Sequence, residues 1–161
     1  MFEYRAASPG EIKRLWIRNI ADNPGDTRWI EWREQAIGEF NAGKCVIFAV
    51  LHDSEPVGEG TLLLRPDCGA IDGREELANG TDIANINGLR MAKEHEGKGH
   101  MSALVKVMED YARGLGYKRL TIGVEAREAR NLAIYLHWGY TDFITPDVED
   151  GELVLYYGKD L

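Results

Sequence analysis

Residues 93–104, KEHEGKGHMSAL, gather charged side chains, two histidines and two glycines immediately before an apolar run at helical spacing. A glycine-containing loop between a strand and a helix aims several backbone N–H groups at one point, and the helix N-terminus adds partial positive charge there. Gly97 and Gly99 allow unusual backbone angles and close approach of a ligand, and Lys98 adds a cation, so the stretch has the chemistry of an anion-binding loop. A plain strand-to-helix turn has the same composition, so the flanking elements must decide. His52, His95, His100 and His137 are scattered among turns, loop and helix, none in a Ser/Cys, His, Asp spacing, which argues against a nucleophilic triad. Cys45 and Cys68 are too few for a disulfide framework and lack metal-site spacing, so no metal is expected. The phosphate-binding G-x-x-x-x-G-K-S/T and the dinucleotide-binding G-x-G-x-x-G patterns are both missing, which ranks a nucleotide-binding domain last.

The elements around the loop read as mixed α/β. FEYRAA suits a short strand. Ser8, Pro9 and Glu11 then form a helix start, with Ser8 as N-cap, Pro9 in the first turn and Glu11 closing a capping box. Ile12, Leu15, Trp16 and Ile20 follow at helical spacing. A second helix is predicted from Asp26 or Thr27, with Trp29, Arg33, Ala36, Ile37 and Phe40 on one side and Trp32 off that stripe. CVIFAVL and PVGEGTLLL form a hairpin about the turn HDSE, and residues 65–81 read as a loop. DIANINGLRMA alternates Ile83, Asn85, Asn87, Leu89 and Met91 on one strand face. Beyond the glycine loop, Met101, Leu104, Val105, Met108, Tyr111, Ala112 and Leu115 make a helical stripe that stops at Gly114 and Gly116. RLTIGV is a strand, Glu128 to His137 a helix ending at Gly139, and YTDFIT and ELVLYY are strands around the acidic turn PDVEDGE.

Length and charge narrow the class. At 161 residues the chain fits one domain, 1–161. Its net charge of −8, with no Lys/Arg cluster, argues against a nucleic-acid binder, and any ligand steered by charge would be cationic. No apolar run approaches the length of a membrane span and the N-terminus lacks signal-peptide layout, so no membrane partner and a cytoplasmic location are expected.

Two motifs together carry a resemblance. EGKGHM sits where the GNAT superfamily of acyl-CoA-dependent N-acyltransferases has its Q/R-x-x-G-x-G/A cofactor loop, and ARNLAIYLHWGY supplies Tyr135, Gly139 and Tyr140 where the family has Y-x-x-x-G-F. The element order agrees over essentially the whole chain. The resemblance implies a central mixed, mostly antiparallel sheet with splayed parallel middle strands, flanked by about four helices. It implies acetyl-CoA as co-substrate and acetyl transfer to a primary amine, small or peptidyl. Glu96 replaces the family's Gln or Arg, and Met101 replaces its second Gly or Ala, while Gly99 is kept. By the resemblance, the cofactor's contacts are Leu89 and Met91 on the strand, Glu96, Gly97, Lys98, Gly99, His100 and Met101 in the loop, and Glu128, Asn131 and Tyr135 on the later helix. Tyr135 matches the family's acid, which protonates the leaving thiolate. Asn85 stands where some members carry the basic Glu, so Glu59 or Asp82 is the candidate base. Trp16, Trp29 and Trp32, with Asp26 and Glu31, are candidates for the amine pocket, or else core residues. The substitutions in the loop and at Asn85 also allow an acyl-CoA-binding or regulatory module without catalysis, as monomer or homodimer.

Overall fold

The structure is a computed structural model that describes residues 1–161. Seven strands form one sheet: β1 (Phe2–Ala6), β2 (Cys45–His52), β3 (Glu55–Leu63), β4 (Ile83–Met91), β5 (Arg119–Glu125), β6 (Asp142–Glu149) and β7 (Glu152–Asp160). Their order is β1-β2-β3-β4-β5-β7-β6. Four helices accompany them: α1 (Pro9–Asp22), α2 (Arg28–Asn41), α3 (His100–Gly114) and α4 (Ala129–His137). The β1–β2, β5–β7 and β6–β7 pairs are antiparallel, whereas β4 and β5 run parallel, in register from Ile83 with Arg119 to Ile86 with Ile122. By contacts the chain divides into two compact units, one of Met1–Leu62 with Gly88–Met108, the other of Leu63–Asn87 with Glu109–Leu161.

In the first unit, α1 begins at the sequence-predicted capping box: Ser8 Oγ accepts from Glu11 N, and Glu11 Oε1 accepts from Ser8 N at 2.8 Å. Arg5 adds a fork of two hydrogen bonds to Glu11, which holds that carboxyl below its usual range. Ile12, Leu15 and Trp16 bury as their spacing requires, and Leu15 packs on Ala49 and Leu51 of β2. The β2–β3 hairpin turns on Asp53 and Ser54, both at positive φ, the backbone of a two-residue turn matched to strand twist. In α2 the half-buried face includes Trp32, contrary to the stripe expected for it. Its ring meets that of Trp29 edge to face at 5.1 Å, and Arg28 lies over it.

In the second unit, loop 65–81 forms as expected and is pinned by Arg74, which reaches Asp147 and Glu149 of β6 and lies over the Tyr156 ring. The α3 stripe departs from expectation at its end. Tyr111 is 40% exposed and Leu115 50%, while the charged Glu109 is buried. The acidic turn PDVEDGE also shrinks. Only Asp150 and Gly151 turn, at φ 51° and 78°, and residues 146–149 extend β6 against β7. Pro146 is tolerated there because β6 is an edge strand, where one N–H can go unused.

Candidate functional site

In the first unit, side chains of β3 alternate so that Gly58 and Gly60 face one way and Glu59 the other. A Cβ at Gly58 would lie 2.5 Å from Met91 Sδ, and one at Gly60 would lie 2.8 Å from Leu89 Cδ2 and 2.9 Å from Met108 Sδ of α3. The two glycines therefore make room for Leu89 and Met91 to pack flat on β3. Gly88, at φ +64°, interrupts the extended backbone of β4. The single face expected from Ile83 to Met91 does not persist: Ala84, Asn85 and Ile86 are consecutively buried.

Glu59 and Arg90 share the other face. Glu59 is 3% exposed; its Oε2 accepts from Asn19 Nδ2 of α1 at 2.8 Å and lies 3.6 Å from Arg90 Nε. The Arg90 guanidinium sits over two indoles, 5.3 Å from the Trp16 centroid and 5.1 Å from that of Trp29. Those aromatic faces are thus covered by an internal cation. Asp26, expected beside them, pairs with Arg28, which with its backbone hydrogen bonds holds the carboxyl below its usual range. Sequence reasoning did not single out Arg90 or Asn19. The available signal was Glu59 within PVGEGTLLL and Arg90 within IANINGLRM, single charges in otherwise uncharged runs.

The glycine loop takes the backbone its composition implied. A short 3-10 turn, Lys93–His95, leads into Gly97 at φ +71° and Gly99 at +85°, and α3 starts at His100. Nothing lies within 4 Å of a Cβ at either glycine, so the loop is open on that side, directly before a helix start whose first N–H groups have no partner within the helix. Glu96 is exposed, Met101 half-buried, and Lys98 Nζ donates to the Glu94 carbonyl at 3.1 Å. The histidines that looked scattered are partly gathered here. His100 and His52 stack on Phe2 at 4.0 and 4.4 Å, and His95 meets it edge-on at 5.4 Å. Tyr4 Oη and His100 Nδ1 are 2.8 Å apart. Burial, then the neighbouring His95, Lys98 and His52, pushes the His100 pKa down, so the imidazole is neutral at neutral pH.

In the second unit, Tyr135 lies half-buried on α4, stacked on Trp138 at 5.5 Å. Burial and the Glu128 carboxylate raise its pKa, which keeps the phenol protonated at neutral pH, as a proton donor requires. Glu128, the N-cap residue of α4, and Asn131 within it are both exposed. Asp82 is held by Asn79 and Thr81 in a turn ahead of β4, and Asn85 is buried, donating to Thr121 Oγ1 at 2.9 Å. Both are thereby tied into local hydrogen-bond networks. So is Tyr140, wholly buried and donating to Glu109 Oε2 at 2.8 Å, where Lys159 Nζ also donates at 2.8 Å. His137 is exposed at the end of α4.

The sheet is mixed, with β4 and β5 parallel, and a glycine loop leads from the end of β4 into α3. The sequence matches the acetyltransferase (GNAT) family over residues 11–140, and the chain belongs to that family of acyl-CoA-dependent N-acetyltransferases. None of the curated proteins matches it. Among solved structures, an N-acetyltransferase from Staphylococcus aureus superposes with a TM-score of 0.73 at 13% identity, covering 99% of this chain and 98% of that one. NAA60 of Arabidopsis thaliana, in complex with acetyl-CoA, gives 0.71 at 15% identity over 100% and 99% of the two chains. The PaiA N-acetyltransferase of Thermoplasma acidophilum, in complex with coenzyme A, gives 0.66 at 13% identity over 100% and 99%.

Proposed function

We propose that the chain, acting as one domain over 1–161, transfers an acetyl group from acetyl-CoA to a primary amine by direct attack in a ternary complex. The observation that carries this reading is the open loop at Gly97 and Gly99, held at positive φ directly before α3 in a chain of this family. Its backbone N–H groups, from Gly97 to Met101, suit the pyrophosphate, and a neutral His100 adds no charge of its own. The exposed Glu96 side chain is free to turn to solvent, away from the phosphates. The family resemblance assigns further cofactor contacts to Leu89 and Met91 of β4, to Glu128 just before α4 and to Asn131 of α4. Support for the cofactor also comes from the relatives solved with acetyl-CoA and coenzyme A.

In the reaction, Tyr135 donates a proton to the leaving thiolate, a task suited to a phenol whose pKa burial has raised. Glu59 takes the proton lost by the attacking ammonium, through water, with Asn19 fixing the orientation of its carboxylate. The tests are a melting curve and a thiol-release assay. Acetyl-CoA at 100 times its dissociation constant adds about 2.7 kcal/mol of stability, and Gly99→Val, strained at this φ, removes that gain. Thiol release with a panel of amines then reports turnover, and Tyr135→Phe lowers kcat by about 10²-fold while keeping the acetyl-CoA melting shift. No melting shift and no amine-dependent thiol release in the native protein would contradict the reading.

A further inference from the structure

The Arg90 guanidinium is more firmly held than a counter-ion needs and less fully used. Trp16 and Trp29 grip it. Gly88 lets the fork fold back on β4: a Cβ there would lie 3.2 Å from Nη1 and 3.4 Å from Nη2. Glu59 stands at its Nε edge, yet at 3.6 Å, and Nε is buried with no hydrogen-bond partner. Were Arg90 only the counter-ion of Glu59, its fork would close on the carboxylate, as two side chains close on Glu109 at 2.8 Å. Instead the Nη edge, made for a planar two-oxygen anion, is left without a protein acceptor on a side chain 31% exposed.

We propose that Arg90 receives a carboxylate of the acceptor, so that the amine acetylated by this enzyme belongs to an amino-acid-like molecule carrying both groups. The proposal rests on the acetyl-transfer reading and names its acceptor. Glu59 and Arg90 together are neutral, which fits a zwitterion whose ammonium faces Glu59 and whose carboxylate faces Arg90. A doubly charged phosphate fits less well, because a single guanidinium already shared with a carboxylate would have to balance it. The chain's net negative charge does not oppose such an acceptor, since a zwitterion carries no net charge to repel.

The test uses matched amines that differ only at the acid, such as glycine and glycinamide or β-alanine and β-alaninamide, in the acetyl-CoA thiol-release assay. A charge-assisted fork predicts a kcat/KM preference for the acid on the order of 10- to 100-fold in at least one pair. Arg90→Gln brings that ratio close to one, chiefly through KM for the acid, and Arg90→Lys falls between. Tryptophan fluorescence of Trp16 and Trp29, titrated with each amine without acetyl-CoA, gives a second readout: a saturable response to the acid, weaker for the amide and lost in Arg90→Gln. Equal treatment of acid and amide by the native enzyme overturns the proposal, as does a preference that survives Arg90→Gln in a folded variant. Where no amine releases thiol, the acetyl-transfer reading fails, and the fluorescence titration alone decides the carboxylate site: no response to any acid overturns it.

Discussion

Two of the buried carboxylates, one from each compact unit, are used in opposite ways. Glu109 on α3 receives Tyr140 Oη and Lys159 Nζ, both at 2.8 Å, and Lys159 also lies over the Tyr140 ring at 5.6 Å. Burial and the Glu109 charge push the Tyr140 pKa far up, so the phenol remains a donor. That cluster is complete, with every member satisfied inside the protein. Glu59 on β3 receives one hydrogen bond, from Asn19, and its cation stands just out of hydrogen-bond range with an unpartnered Nε. A satisfied buried ion pair ties elements together; the unsatisfied one, held in place by aromatic faces, is the site of the proposed carboxylate.

The comparison predicts where substitutions act. Glu109→Ala leaves a buried phenol and a partly buried ammonium without their acceptor, and a urea melt should show a loss of about 2–4 kcal/mol. A loss under 1 kcal/mol would mean that the Glu109 cluster is no more than decoration. Glu59→Gln keeps an acceptor for Asn19 and the packing of the indoles, so its stability should stay within about 1 kcal/mol of the native protein. A larger loss would make Glu59 a second structural anchor and dissolve the contrast. The smallest effect belongs to pH. Because the folded chain holds His100 below its ordinary pKa, the unfolded chain takes up a proton that the folded chain refuses as pH falls through about 6.5. Stability therefore declines from that point downward, and His100→Gln should flatten this slope in melting temperatures measured from pH 8 to 5.

Local signals in the sequence foretold local structure. The capping box at Ser8 and Glu11, the two glycines before α3, and the turn ahead of β3 each depend on residues within a few positions, and each formed as read. What failed depended on distant partners. Trp32 joins the half-buried face of α2 because it meets Trp29 and Arg28, which a helical wheel of α2 alone does not weigh. Residues 146–149 become strand because β7 offers them a ladder, which outweighs the turn composition of PDVEDGE. Of the proposed site residues, Glu59 was legible, with Asp82, as an alternative base, and Tyr135 from its motif. Arg90 was not, because its meaning comes from pairing with Glu59 on another strand and from two indoles brought by α1 and α2.

The contrast between the two carboxylates is tested most directly by measuring turnover and melting on the same preparations of the native protein, Glu59→Gln and Glu109→Gln, with acetyl-CoA and the best amine acceptor. A general base contributes roughly 10²–10⁴-fold, so Glu59→Gln should lose at least about 10²-fold in kcat while melting near the native temperature. Glu109→Gln should melt lower and, assayed well below its melting point, turn over at close to the native rate. Full activity in Glu59→Gln, or equal losses of activity in both variants, would contradict the assignment of Glu59 to chemistry and Glu109 to structure.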